Sequence, residues 1–450
     1  MSERTYKKHV MRVIFPCALY SASAGVVIGI VVFFFKMLAE FLGDLSISIY
    51  AYVSNNLAYI PLLIIGLVLS AIIVYFIIKK IPEASGGGIP RSEGIVRGLL
   101  SFRWLHSIIG AITGSIFAFI AGLSVGSEGP GVQIGTAIGD GFNKIYHSRG
   151  HTWKRPVLTA GAAAGFGVVT GAPISGIVFA IEEANSKYEP YLVLAAGIGV
   201  IFASVTTSLL AHLFSIDMKI LNNGPITDLT FNLMWIPAII GIIAGFGAVL
   251  YNTLIEKVSK IAGKHLSKKM MSLIYLLSIF LITGIIGLLL PQATGSGHTL
   301  IFGVLERKFI WYMLIPILLV KLLLIAGTTA SGAVGGMFLP MLSIGGTIGG
   351  LIGELFLVCG LSIEFYPIII LLTICSFFGG AIYAPITATV FIIESTGSFI
   401  SGLHCIIAVF LSMMIMSVFK VESVNEVTLK EILRNYHKKD ELNKTTQISN

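Results

Sequence analysis

Charge is scarce in this 450-residue chain: Asp, Glu, Lys and Arg make up 12% of it, against 55% hydrophobic residues. With a mean hydropathy of +0.91, that balance excludes a soluble globular domain and a polar disordered segment. Cysteine is also sparse. Cys17, Cys359, Cys375 and Cys405 lie in apolar surroundings with no paired spacing, which excludes a disulfide framework and a thiolate metal site. The nine histidines show no metal-ligand spacing, and no Ser/His/Asp set, phosphate loop or cofactor signature is present. No metal, no cofactor and no enzymatic activity are therefore expected.

What is present is membrane-spanning sequence. Uncharged apolar runs of spanning length cover 13–35, 57–78, 233–251, 272–290, 309–320 and 403–419. The first is too long for a secretory signal peptide and lacks a small-residue cleavage site. Arg4, Lys7, Lys8 and Arg12 precede the first run and Lys79 and Lys80 follow the second, while Lys430, Arg434, Lys438 and Lys439 lie after the last. By the excess of basic residues in cytoplasmic flanks, both termini are cytoplasmic and the number of crossings is even. The net charge of +8 is accounted for by these flanks, so nucleic acid is not an expected partner; membrane lipid is.

The chain also repeats itself. IPEASGGG at 81–88 returns as LPQATGSG at 290–297, an offset of 209. GSEGP at 126–130 has a looser partner, GMFLP, at 336–340, and APISGIVFAIE at 172–182 returns as APITATVFIIE at 384–394. Three matches in one order, with nearly constant offset, indicate two homologous halves, the arrangement of transporters with a site at the repeat interface. If each half crosses an odd number of times, the repeat is inverted. The expected fold is an all-α polytopic membrane protein: two inverted-topology repeats whose broken helices meet at mid-membrane. The expected division is 1–12 cytoplasmic N-terminus, 13–212 first repeat, 213–420 second repeat and 421–450 short polar cytoplasmic tail without a regulatory domain. Gly295-Ser296-Gly297-His298, which superficially suggests a nucleophile, is the second copy of a glycine-rich break.

The breaks share one design. In GGGIP at 86–90, GSEGP and GMFLP, glycine lets the chain turn and proline follows where a helix starts. Irregular backbone within lipid is tolerated only where it is buried or lines a watery cavity. A helix N-terminus carries about half a positive charge and is an anion site. Several such ends converging would hold an anion without a full positive charge, permitting release as well as binding. Glu128 sits at one of these starts, although a carboxylate within the membrane costs about 3 kcal/mol. Ionised, it can occupy the anion site and block it; protonated, it is neutral and swings away. Anion passage would thereby be coupled to proton movement.

Glu182 and Glu183 end the apolar segment that starts at Pro173. Glu182 has a repeat counterpart, Glu394, which indicates a structural pair at a helix end facing water. Glu183 is matched by Ser395 and is the asymmetric one, a candidate proton port. Lys321 stands alone in an apolar run, where it either raises the local anion concentration or snorkels to the surface.

These motifs, in order from about Arg12 to Glu431, resemble the CLC family of chloride channels and proton-coupled chloride exchangers in its compact prokaryotic form. The resemblance implies a homodimer in the bacterial inner membrane, with one anion pathway per subunit. It implies that Glu128 is the external gating glutamate and Glu183 the internal proton-transfer glutamate. It further implies that the backbone N–H groups of Met337 and Phe338 hold the central anion, that Gly86 and Gly87 line the inner side, and that Ser127 and Gly129 flank the outer position. The chain departs from the family pattern at Gly87, where a serine is usual, at Ser127 in place of arginine, and at Ala111 in place of lysine. The family's tyrosine near the start of the last helix is matched here by Leu429, or by Thr428 if the register slips. The leading reading is a chloride/proton antiporter; the alternative is a passive or loosely coupled anion channel of the same fold, and a third reading is a fluoride exporter.

Overall fold

The computed structural model describes residues 14–145, 153–185, 188–221, 226–265 and 269–448. Arg4, Lys7, Lys8 and Arg12 lie outside the described residues. The first repeat runs through α1 (Phe15–Asn55), α2 (Ile60–Lys80), α3 (Gly88–Val96), α4 (Trp104–Ile120), α5 (Glu128–Ile145), α6 (Lys154–Thr170), α7 (Pro173–Phe179) and α8 (Pro190–Phe214). The second runs through α9 (Trp235–His265), α10 (Lys269–Leu289), α11 (His298–Leu305), α12 (Trp311–Ser331), α13 (Phe338–Val358), α14 (Tyr366–Ile382), α15 (Pro385–Thr396) and α16 (Phe399–Val418). A last helix, α17 (Val424–Ile448), follows. Helix for helix, the two halves correspond, as expected of the repeat.

Among the described residues nine helices are long and apolar enough to cross a membrane. Three of them, Pro190–Phe214, Phe338–Val358 and Ile363–Ile382, lie outside the six apolar runs. At 1.5 Å per residue the 41-residue α1 is about 60 Å long, twice the hydrocarbon thickness, so it is tilted or projects. α12 continues past Lys321 to Ser331 because that lysine is satisfied inside the protein.

The repeats are joined by exchanged backbone bonds at equivalent places. Gly86 N–H donates to Gly332 O at 3.1 Å, and Gly295 N–H donates to Gly122 O at 2.8 Å. Gly126 and Gly336 exchange both of their bonds, each at 2.8 Å, as an isolated antiparallel bridge. These glycine-rich breaks, not side-chain packing alone, hold the halves in register.

Glu182 and Glu394 are reciprocal helix caps, a structural pair at exposed helix starts as the repeat indicated. Glu394 accepts from Ile174 N–H and Ser175 N–H at 2.8 and 2.7 Å, at the start of α7. Glu182 accepts from Ile386 N–H and Thr387 N–H at 3.1 and 2.7 Å, at the start of α15. Each carboxylate satisfies orphan donors and the positive end of the other repeat's helix.

The expected polar tail is corrected. Its first turns belong to the core: Val424, Asn425 and Leu429 are buried. Leu429 packs in a cluster with Ile95, Val96, Leu100 and Leu158, which docks α17 onto α3.

Candidate functional site

Three helix starts converge backbone to backbone. A β-carbon on Gly129 would lie 2.7 Å from Gly336 Cα and 3.1 Å from Gly88 N, and one on Gly88 would overlap the Gly129 carbonyl. No side chain fits between α3, α5 and α13 at this point, so glycine is required by close approach. Beside this junction lies a cavity of about 10 Å³, room for roughly one water-sized sphere. Gly87, Gly129, Gly336, Met337 and Phe338 line it. Met337 caps α13 and Phe338 is its first residue, so the unsatisfied N–H end of that helix is presented to the cavity.

Around the backbone seat stands a cage of aromatic rings that sequence reasoning missed. Phe166 stacks on Phe179 with centroids 4.4 Å apart, and Phe338 meets Phe166 at 5.2 Å and Phe378 at 4.8 Å edge to face. The only signal was the phenylalanine content, since these rings come from four separated helices or turns. Val424 and Asn425 close the cavity from the start of α17, and no Ser, Thr or Tyr lines it among the described residues.

The expected lining residues divide. Gly87, Gly129, Met337 and Phe338 reach the cavity. Gly86 instead forms the turn before α3, with φ of 81°, and bonds to Gly332. Ser127 places its carbonyl on Gly131 N–H at 2.8 Å and is not among the lining residues. Leu429, aligned with the tyrosine, does not line the cavity and packs against α3, whereas Asn425, one turn earlier, does line it. Lys321 does not snorkel. Fully buried, it donates to Gly295 O at 2.7 Å and Thr294 O at 3.3 Å, bracing the second glycine-rich break.

Glu128 is 1% exposed. Its carboxylate lies against the preceding turn and Leu339, the second residue of α13: a β-carbon built on Gly126 would lie 2.1 Å from Glu128 Oε2 and 3.2 Å from Leu339 Cβ. The side chain of α5's first residue thus reaches across to the N-terminus of its repeat partner, α13. Its Oε2 has no hydrogen-bond partner in the protein.

Glu183 lies in a π-helical turn, Ala180–Asn185, that extends α7; such turns recur at functional sites. It is 7% exposed and accepts from Asn425 Nδ2 at 2.9 Å. Arg97 fixes the turn by donating to Glu183 O at 2.8 Å and Ala184 O at 3.3 Å, and it also pairs with Glu426 at 3.2 Å and Glu93 at 3.8 Å. Asn425 therefore touches both the cavity and Glu183. Ser395, the repeat counterpart, only donates to Phe391 O within its own helix at 2.7 Å, so the asymmetry read from the sequence is structural as well. Arg97, Glu93 and Asn425 were not singled out from the sequence; Asn425 lies 242 residues from Glu183.

An inverted repeat with broken helices meeting at a main-chain seat, flanked by two buried carboxylates, defines a membrane transport protein. The sequence signature described as voltage gated chloride channel matches residues 69–417, and the chain belongs to that family. It is 29% identical over 335 residues to the H(+)/Cl(-) exchange transporter ClcA of Salmonella paratyphi B, covering 74% of this chain and 70% of that one. The corresponding protein of Salmonella paratyphi A is 28% identical over 386 residues, 84% and 80% of the two chains. The fold is similar to that of a slow cyanobacterial Cl-/H+ antiporter, with a TM-score of 0.84, 20% identity and coverage of 93% and 98%. It is also similar to a CLC-type fluoride/proton antiporter, with a TM-score of 0.76, 23% identity and coverage of 92% and 98%.

Proposed function

We propose that this protein exchanges chloride for protons, with Glu128 as the outer gate and Glu183 as the inner proton port. The observation that carries the reading is the position of the Glu128 carboxylate. It lies beside Leu339 in the first turn of α13, next to a cavity lined by that helix's first residues. An ionised carboxylate there takes the place an anion would take. Once protonated it loses the attraction of the helix end and can leave the seat to chloride. Lines of relatives described as exchange transporters support the same reading.

Chloride would be held by backbone N–H groups of Met337 and Phe338, with Gly87 on the inner side and Gly129 towards the gate. Ring edges of Phe338 and Phe378 carry partial positive charge and suit an anion. On the inner side Asn425 would tie the proton port to the anion seat, because one amide group serves both. We extend the reading to a homodimer in the bacterial inner membrane, on the family resemblance. Lys79 and Lys80 at the end of α2, with Lys430 and Arg434 on α17, support cytoplasmic termini.

The test is proton movement into liposomes holding the purified protein under an outward chloride gradient at controlled voltage. Protons driven uphill, and lost in Glu128→Gln, support the antiporter; chloride flux without protons overturns it. One observation favours a loosely coupled exchanger or channel as the second reading. The cavity has no side-chain hydroxyl, with Gly87 and Asn425 where hydroxyls could have stood, so the anion's residence there would be short.

A further inference from the structure

Away from the anion seat, the first repeat carries an apolar groove of about 310 Å³ with basic residues at one end. Val27 and Val31 of α1, Trp104 and Ile108 of α4, and Ile138 and Phe142 of α5 line it. No charged or hydroxyl-bearing side chain lines it among the described residues. Trp104, the first residue of α4, presses on α5: a β-carbon on Gly141 would lie 2.9 Å from Trp104 Cε3 and 3.1 Å from Cδ2. Glycine at 141 therefore makes the space that the indole occupies. Ile30, Ile109 and Ile145, beside the groove on the same three helices, are exposed. In a chain that crosses a membrane, such a surface meets hydrocarbon.

The end of the groove at Trp104 is basic. Arg103 precedes Trp104, and Lys144 precedes Ile145. Lys144 Nζ lies 6.0 Å from the ring centroid of Phe102, which brings the two cations to one place. Each is held from behind by a carboxylate. Arg103 Nε lies 3.3 Å from Glu83 Oε1, and Lys144 Nζ lies 2.5 Å from Asp140 Oδ2. The two cationic side chains are 58% and 50% exposed, their carboxylate partners 17% and 2%. The carboxylates thus fix the cations from inside and leave their remaining N–H groups at the surface. Lys79 and Lys80 end α2 just before Glu83, so this rim lies on the side read above as cytoplasmic. Tryptophan, with an apolar body and a polar N–H, suits that boundary between hydrocarbon and water.

We infer that the groove binds an anionic phospholipid, with one acyl chain along α1, α4 and α5 and the phosphate on Arg103 and Lys144. Guanidinium N–H groups match phosphate oxygens in geometry, and the ammonium adds a point charge. The cytoplasmic leaflet is the anionic one, and basic pockets between helices on that side hold such headgroups. A phosphatidylcholine chain fits the groove equally well, but its headgroup brings a cation of its own towards Arg103 and Lys144. The rim therefore selects the anionic lipid. The site is separate from the anion seat and does not depend on which ions are exchanged.

The experiment uses the fluorescence of Trp104, taken as the difference between the wild type and Trp104→Phe, since the chain has four tryptophans. The purified protein is placed in phosphatidylcholine bilayers containing increasing shares of lipid brominated on its acyl chains, either phosphatidylglycerol or phosphatidylcholine. Brominated phosphatidylglycerol should quench the Trp104 signal at a much lower share than brominated phosphatidylcholine. Arg103→Gln and Lys144→Gln should each lower that preference about fivefold, the worth of one cation beside an anionic surface. Arg103→Lys and Lys144→Arg should keep it. Equal quenching by the two lipids in the wild type would mean that the groove holds bulk lipid without selection, and overturns the inference. A preference that survives both glutamine variants overturns the assignment of the headgroup to Arg103 and Lys144. No quenching of Trp104 by either lipid would mean that protein covers the groove, and overturns the site itself.

Discussion

Gly87 faces the methyl group of Met337 across the cavity: a β-carbon built on Gly87 would lie 3.7 Å from Met337 Cε and 3.4 Å from Pro90 Cδ. Both are ordinary contacts, so the smallness of residue 87 is not imposed by packing. The seat could accept a serine, and this protein does without one.

Gly87→Ser should therefore fold normally and add a hydroxyl to a cavity that has none. One added hydrogen bond contributes about 0.5–1.5 kcal/mol, so chloride affinity should rise by about two- to tenfold. Calorimetric titration of the purified protein with chloride checks this; weaker binding in the variant would show that the side chain does not reach the anion.

Gly129→Ala should behave in the opposite way, although it adds one heavy atom fewer than a serine would. Its β-carbon would press on Gly336 Cα at 2.7 Å, backbone against backbone, with nothing free to move aside. Overpacking of this kind costs about 1–3 kcal/mol or more, and here it also spreads the helix starts. Thermal unfolding in detergent and chloride flux should both fall, while Gly87→Ala leaves unfolding unchanged.

Asn425→Leu removes the donor to Glu183 and the one polar side chain of the cavity wall. Proton transport should fall more steeply than chloride transport, lowering the proton-to-chloride ratio. Equal loss of both fluxes would mean that Asn425 serves only the anion.

Adjacent glutamates should separate cleanly. Glu182→Ala and Glu394→Ala each delete a helix cap and should cost about 0.5–2 kcal/mol of stability, seen as lower unfolding temperatures. Glu183→Gln keeps its shape and its bond from Asn425, and should lose proton transport with little change in unfolding.

Much of this was legible before any coordinates. The starts of α3, α5 and α13 are written in glycine followed by proline, and the repeat showed that they belong together. Glu183 stood out because Ser395 replaces it in the second half. What could not be read were the contacts that chain separation hides. Arg97 meets Glu426 across 329 positions, and Lys36 meets Met218 across 182. The ambiguity at Leu429 has a simple cause: Asn425 and Leu429 are four residues apart on one helix and so share a face. Pattern alone could not decide which turn met the cavity and which met α3. Lys321 misled for another reason, since its partners are backbone carbonyls, and carbonyls have no signature in a sequence.

The paired bonds between Gly126 and Gly336 bear on how such a protein can change over generations. A seat assembled from main-chain atoms presents almost no side chain for mutation to delete. Substitutions nearby, at position 87 or 425, alter the wall of the cavity while the cradle persists. Descendants of one ancestor could thus drift in the lining of the cavity without first losing the main-chain cradle itself.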